Sequence, residues 1–384
     1  MRVFILILVS GFLNAQVNSF SLNVNGTPPV GFTTALNIAA EKWSQYLQVS
    51  VPVKVNVFTV NSGLLPFSAI TVANGRKDFT NAPVTNTLYT TALANQLAGT
   101  ETNPGEFDMD IYFNLASSYY FGTGKPAANQ KDFISTAMHE IGHGLGFYST
   151  GYVNNSGSGS FGNVPSSVLF PLVPSFPWHG QDGVPCIYDK FIKKQSGSNL
   201  VGLAAQNSNA LGDSIKNNPH YFSGPLYANP SHSNTPIRLS GGAGTYTMGV
   251  DLLHIHDSYA NTIMSYYWGN GDTVRIPGAW ELGLLREIGW NLKPIGIKEE
   301  SVNNIHSFYP VPTDEVLRIS GNEIDAVEIY DAEGIPQCVL KNDQINEEFK
   351  IDTRDLLEGI YYVRVAFKSG TMPYSRKVII MHKE

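Results

Sequence analysis

Apolar residues recur at three- and four-residue steps over residues 34–46, through Leu36, Ile38, Ala39, Ala40 and Trp43, which is the helical period. Residues 51–58, Val-Pro-Val-Lys-Val-Asn-Val-Phe, alternate apolar and polar positions instead, as a half-buried strand does. A polar loop is expected next, then a short helix over 88–97. Alternation returns over 108–115, with Met109, Ile111, Phe113 and Leu115 on one face. Over 133–147 the period is helical again, on Phe133, Ala137, Met138, Ile141 and Leu145. A further amphipathic helix is predicted for 276–290, with Pro277 near its start and Gly289 near its end. Residues 149–250 differ: Gly, Ser, Asn and Pro dominate, and only 187–191 and 237–239 carry short periodic pieces. A structureless loop of that length does not suit a compact domain, so the stretch reads as a folded insertion of turns and short strands.

Residues 294–304 turn charged and weakly hydrophobic, the mark of a linker. Beyond them short strands are predicted at 316–319, 327–330, 348–351, 360–367 and 376–381, with turns at Asp331–Gly334 and Lys368–Gly370. That pattern is a small β-sandwich over 305–384. The expected class is therefore α+β: a main domain over 16–293 containing the insertion, then an all-β domain.

The first residues change the picture of where the chain works. Met1-Arg2 is a short basic start, residues 3–9 are apolar, and Ala15 closes the run. This is the plan of a secretory signal peptide over 1–15, with cleavage after Ala15. The apolar run is too short for a transmembrane anchor, which needs about 18 or more apolar residues. A net charge of −7 with no basic block argues against a nucleic-acid partner. Cys186 and Cys338 fall in different expected domains, so neither a disulfide between them nor a cysteine-based zinc site is expected.

The candidate chemistry sits in the helix over 133–147, at His139-Glu140-Ile141-Gly142-His143. Residues four apart on a helix are about 40° apart in projection and about 6 Å apart along the axis. Both imidazoles can converge on one ion, and Zn²⁺ suits two neutral imidazoles with a position left open for water. Glu140, beside the first histidine, can reach that water and take its proton as a general base. Chance alone would place H-E-x-x-H in roughly one such chain in a hundred. Gly142, Gly144 and Gly146 reinforce the reading. A helix-interior glycine costs roughly 1 kcal/mol against alanine, which implies close backbone approach or a deliberate stop, and Gly146 fits a terminating residue with positive φ.

A catalytic zinc site ordinarily has three protein ligands. The remaining histidines are His179, His220, His232, His254 and His256 before the linker, and His306 and His382 after it. Farther on stands Asn261-Thr-Ile-Met264-Ser-Tyr266, with Val250-Asp-Leu-Leu-His254-Ile-His256-Asp257 just before it. The zinc helix, a long insertion, a histidine and an Ile-Met-Ser-Tyr turn together resemble the leishmanolysin-like metzincins, a group of zinc metallopeptidases. Further patches of likeness are Asn86-Thr-Leu-Tyr89 with Ala92-Leu-Ala-Asn95, Ile187-Tyr-Asp-Lys-Phe191, and Leu285-Arg-Glu-Ile-Gly-Trp290. The resemblance implies a Met-turn at Met264 beneath the zinc. It also places the third ligand outside the zinc helix, because Ser149 stands where compact metzincins carry their third histidine. His254 is the preferred ligand on this likeness and His256 the alternative. Tyr266, two residues after the methionine, is implied as a catalytic group that stabilises the oxyanion, or else as a packed aromatic beside Tyr267 and Trp268.

Residues 308–312, 327–334, 356–365 and 377–379 of the last domain resemble the C-terminal sorting domain of the type IX secretion system. That implies export by the type IX machinery to the medium or the outer cell surface. The resulting expectation is a secreted zinc endopeptidase acting on a protein or peptide substrate, with His139, His143 and His254 on zinc and Glu140 as base. The alternatives are a non-catalytic surface adhesin on the same fold, and a zinc amidase acting on cell-wall peptides.

Overall fold

The computed structural model describes residues 19–163, 183–225, 236–259, 262–293, 305–311, 313, 315–331, 336–341, 348–367 and 374–382. The expected signal peptide and linker lie outside these residues, as do 164–182 and 226–235 of the insertion and both turns expected in the last domain. Two units divide between Lys293 and Pro294.

The first unit starts with β1 (Phe20–Val24), α1 (Phe32–Ser44), β2 (Val53–Val60) and β3 (Ala69–Ala73). A two-residue pair, β4 (Gly75–Arg76) with β5 (Tyr89–Thr90), leads to α2 (Thr91–Ala98) and β6 (Met109–Asn114). A second short pair, β7 (Tyr119–Tyr120) with β8 (Lys131–Asp132), precedes α3 (Phe133–Leu145). The main sheet has the order β1-β2-β6-β3, parallel except for the antiparallel edge strand β3. Val53, Val55 and Val57 of β2 and Met109, Ile111 and Phe113 of β6 are fully buried, forming the face that α1 and α3 cover. On the opposite face Asn23 and Asn25 donate to Asn56 Oδ1, and Asn56 donates to Asp110, so polar side chains cross-link the strands where water reaches them.

The hydrophobic pattern misses β1 and β3, and residues 69–73 fall in the stretch expected to be a polar loop. The reason is visible in the packing. Ile70 and Val72 join Phe58 and Tyr112 in a small outer cluster, while Thr71 and Ala73 face inward and are buried, so both sides of Ala69-Ile-Thr-Val-Ala73 are at least half covered. A strand covered on both faces shows no alternation.

α3 is buried along its whole length. Asp132 caps its N-terminus, accepting from Ser135 N at 3.0 Å. Arg275 Nε donates to the same carboxylate at 2.8 Å, a second guanidinium N–H reaches its other oxygen, and Arg275 also donates to the carbonyls of residues 122–124. Two buried tryptophans donate to the helix backbone: Trp43 to Met138 O at 2.9 Å and Trp290 to Leu145 O at 2.7 Å. The latter satisfies a carbonyl in the last turn, which has no partner within the helix.

The insertion is folded where it is described. It contains β9 (Gly151–Val153) paired with β10 (Gly159–Phe161), then β11 (Ile192–Lys194), α4 (Asn209–Lys216), β12 (His220–Phe222) and β13 (Ile237–Arg238), with β11-β12-β13 forming a sheet. α5 (Ala279–Ile288) closes the unit.

The second unit is all β. Its strands are β14 (Ile305–Tyr309), β15 (Val316–Gly321), β16 (Ile324–Asp331), β17 (Pro336–Lys341), β18 (Glu348–Asp352), β19 (Gly359–Phe367) and β20 (Tyr374–Ile380). They form antiparallel sheets β14-β15-β18 and β17-β16-β19-β20, and Leu317, Ile319 and Ile351 of one share a core with Val327, Val363 and Val378 of the other. β14 and β17 are additional to the expected strands.

The Asp132–Arg275 pair gives a stability prediction. Asp132→Ala should lower the unfolding free energy by about 3–5 kcal/mol, because it leaves a largely buried guanidinium without its counter-charge. Ser208→Ala, which removes the half-buried cap that accepts from Leu211 N on α4, should cost about 1 kcal/mol. Urea denaturation of both variants is the measurement, and equal losses would refute the assignment.

Candidate metal centre

His139 and His143 lie four apart on α3, and the glycines between and after them make room for what surrounds the helix. A Cβ on Gly142 would sit 2.5 Å from Met264 Sδ, and one on Gly144 would sit 2.1 Å from Met109 Sδ. Gly146 ends the helix with φ 135°, and a Cβ there would meet Ile288 Cδ1 at 2.4 Å. Met264 is fully buried against α3 at Gly142, one residue before His143.

The third imidazole comes from the far side of the insertion. Ile255 forms isolated bridges to Leu239 on one side and Ser265 on the other, donating to Met264 O at 2.8 Å, while His254 O accepts from Ser240 N at 2.8 Å. This three-ply arrangement turns His254 inward, where it is buried. His254 Nε2 lies 3.1 Å from His139 Nε2, and His143 Nε2 also lies 3.1 Å from His139 Nε2. His256 turns away and its Nδ1 pairs with Ser258 Oγ at 2.9 Å. The geometry therefore brings His254, not His256, to the α3 pair.

Other sequence candidates lie elsewhere. Ser149 donates to Asp189 Oδ1 at 2.6 Å, in a buried knot where Thr150 Oγ1 and Cys186 N also donate to that carboxylate. His220 is buried with its Nε2 on Ser214 O, and His382 is in the second unit with its Nε2 on Leu356 O. His179 and His232 lie outside the described residues, as does the side chain of His306.

The hydrogen bonds fix the protonation pattern. His139 Nδ1 meets Ile263 O at 2.7 Å, His143 Nδ1 meets Phe147 O at 2.7 Å, and His254 Nδ1 meets Val250 O at 3.0 Å. A carbonyl oxygen only accepts, so each Nδ1 carries the proton and each Nε2 presents a lone pair. The close Nε2 pairs are then lone pair against lone pair, not hydrogen bonds. A cation between them relieves that repulsion. Zinc–nitrogen distances of about 2.0–2.1 Å in a tetrahedron place ligand nitrogens about 3.3 Å apart, close to the 3.1 Å found. The donor set fits zinc. Burial and the neighbouring imidazoles hold His139 well below its ordinary pKa, burial brings His143 down to about 4, and burial with His143 brings His254 down to about 3. All three are neutral, the form that coordinates a metal.

Glu140 is buried beside them. The period-two alternation of β3 turns Thr71 toward α3, and its hydroxyl donates to Glu140 Oε2 at 2.7 Å while lying 2.9 Å from Glu140 O. Burial pushes the Glu140 carboxyl up to about 7, against the opposing pull of the Thr71 bond. Tyr266 stands at the rim, 54% exposed, its ring centroid 5.4 Å from that of His254. Trp268 meets His139 edge-on at 5.1 Å and donates to Thr262 O. Sequence reasoning missed Thr71, whose strand was read as loop. It also passed over Glu281, which holds the 262–265 turn; its place at the third position of a helix opening on Gly278 was the available signal.

Similarity to known families bears on the two ends of the chain. Residues 307–381 match the family described as secretion system C-terminal sorting domain. The C-terminal unit is a type IX sorting domain. The chain is thus a secreted or cell-surface protein, and the partner in its export is the type IX machinery. No described helix is long and apolar enough to cross a membrane. Residues 20–158, which span the main sheet and α3, match a family described as SPBPB7E8-like. No curated protein matches the chain. Among solved structures, the CBM51-2 and INT domains of Clostridium perfringens ZmpB match at 19% identity and a TM-score of 0.15. That match spans 18% of this chain and 16% of the other.

Zinc content tests the geometry directly. His254→Ala should reduce bound zinc to well below one equivalent after dialysis, as His143→Ala should, while His256→Ala stays near one. Elemental analysis of the three variants side by side is the check, and equal retention by His254→Ala and His256→Ala would dismiss the triad.

Proposed function

We propose that this secreted protein is a zinc-dependent endopeptidase with a metzincin-type main domain. The observation that carries the reading is the convergence of three imidazole lone pairs next to a buried carboxylate held by Thr71. His139, His143 and His254 are the zinc-binding residues, held through Nδ1 by the backbone carbonyls of Ile263, Phe147 and Val250 respectively. Bound zinc supplies a Lewis acid that polarises a scissile carbonyl and makes water acidic enough to be deprotonated near neutral pH.

The chain's own groups do the rest. Glu140 takes the proton of the attacking water and later delivers it to the leaving amine, acting as base and then acid. Thr71 occupies Oε2, which assigns the proton to Oε1 and keeps the carboxylate from swinging away. Tyr266, exposed beside His254, is assigned to donate to the negative charge developing on the carbonyl oxygen. Met264 packs beneath α3 and takes no part in the bond changes.

Two variants test the roles apart. Glu140→Gln should keep one zinc and lose casein hydrolysis by about 10²–10⁴-fold, the ordinary contribution of a general base. Full activity in that variant would dismiss the mechanism, and an inert wild-type protein would favour the adhesin. Thr71→Val should keep zinc and lower kcat by about tenfold with little change in KM, as expected for a lost hydrogen bond to a charged group; Thr71→Ser should restore it.

A further inference from the structure

Glu281 is fully buried on the first turn of α5, and its carboxylate gathers backbone N–H groups from two separate segments. Oε2 accepts from Gly278 N at 3.0 Å, the reciprocal half of a capping box. Oε1 is not needed for that cap. It accepts instead from Ile263 N at 2.6 Å and more distantly from Met264 N at 3.4 Å. The carbonyl of the same Ile263 accepts from His139 Nδ1 at 2.7 Å. One residue's N–H and C=O thus link the Glu281 carboxylate to an imidazole of the triad. Every one of these Glu281 partners is a donor, an arrangement that favours the carboxylate form. Burial raises its pKa, and the backbone donors pull the other way.

We infer that Glu281 is a positioning residue of the metal centre: through Ile263 it fixes the tautomer and aim of His139 and thereby sets zinc affinity. The bond to the Ile263 N–H anchors that residue in place. The longer bond to Met264 N–H, the amide that shares a peptide unit with the Ile263 carbonyl, strengthens that carbonyl as an acceptor, because hydrogen bonds in series polarise one another. The carbonyl then holds the His139 proton on Nδ1 and keeps Nε2 facing His143 and His254. Metal-bound histidines commonly depend on such an outer partner, and its loss costs roughly 10–100-fold in affinity. The inference rests on the zinc reading above.

The test is chelator competition for zinc on the purified full chain, with circular dichroism to confirm that each variant is folded. Glu281→Gln leaves an amide N–H facing a backbone N–H, and should weaken zinc binding roughly 10–100-fold. Leu284→Ala removes packing from the same helix without touching the relay and should keep the wild-type affinity. If Glu281→Gln binds zinc like the wild type, or if Leu284→Ala loses as much, the relay is wrong and the metal centre stands. Should Glu281→Gln fail to fold, Glu281→Asp decides, weakened binding supporting the relay and wild-type affinity overturning it. A wild-type chain that takes up no zinc overturns the zinc reading itself, and this inference with it.

Discussion

Three lone pairs aimed at one point repel one another, and the first unit is built to keep them there. Each imidazole of His139, His143 and His254 gives its only proton to a backbone carbonyl, so none can turn to hydrogen-bond its neighbour. Two of those carbonyls, of Phe147 and Val250, lie four residues from their histidine, while the third, of Ile263, lies far along the chain. Local structure therefore suffices to aim two of the rings. His139 depends on the 262–265 turn and on whatever holds that turn in place.

α3 carries this constraint because so much of the unit grips it. Asp132 and Arg275 fix its start, Trp43 and Trp290 bond its carbonyls, and sulfur atoms of Met264 and Met109 fill the spaces opened by Gly142 and Gly144. The glycines lower helix propensity, yet each is set against a side chain that a Cβ would strike. Tertiary packing more than offsets propensity here, as it does for most protein helices.

The parts of the fold legible in the chain were those with a clean period. β2 and β6 alternate, α1 and α3 follow the helical step, and each appears within a few residues of its expected place. β3 was illegible because both of its faces are covered, and with it went Thr71, the partner of the candidate base. His139, Glu140 and His143 could be read from spacing alone, since i and i+4 share a helix face. His254 could be named only through the likeness of Ile-Met-Ser-Tyr to a Met-turn. Nothing in the local pattern separates it from His256; the separation lies in Ile255, whose bridges to Leu239 and Ser265 turn one histidine inward and leave the other against Ser258. Ser149 likewise gave no sign of its use, because Asp189 is forty residues away.

His139 and His254 are 115 residues apart in sequence and adjacent in space. The chain between them is pinned near both ends, by Ser149 and Thr150 on Asp189 and by Leu239 on Ile255. The entropy of closing such a loop grows only with the logarithm of its length, about 0.6 kcal/mol for each doubling. Insertions between those two anchors therefore strain the triad little, and the third histidine's position in sequence is free to drift while its position in space is not. A search that demands a fixed spacing after His143 will pass over such chains; one that pairs a histidine with its following turn will find them.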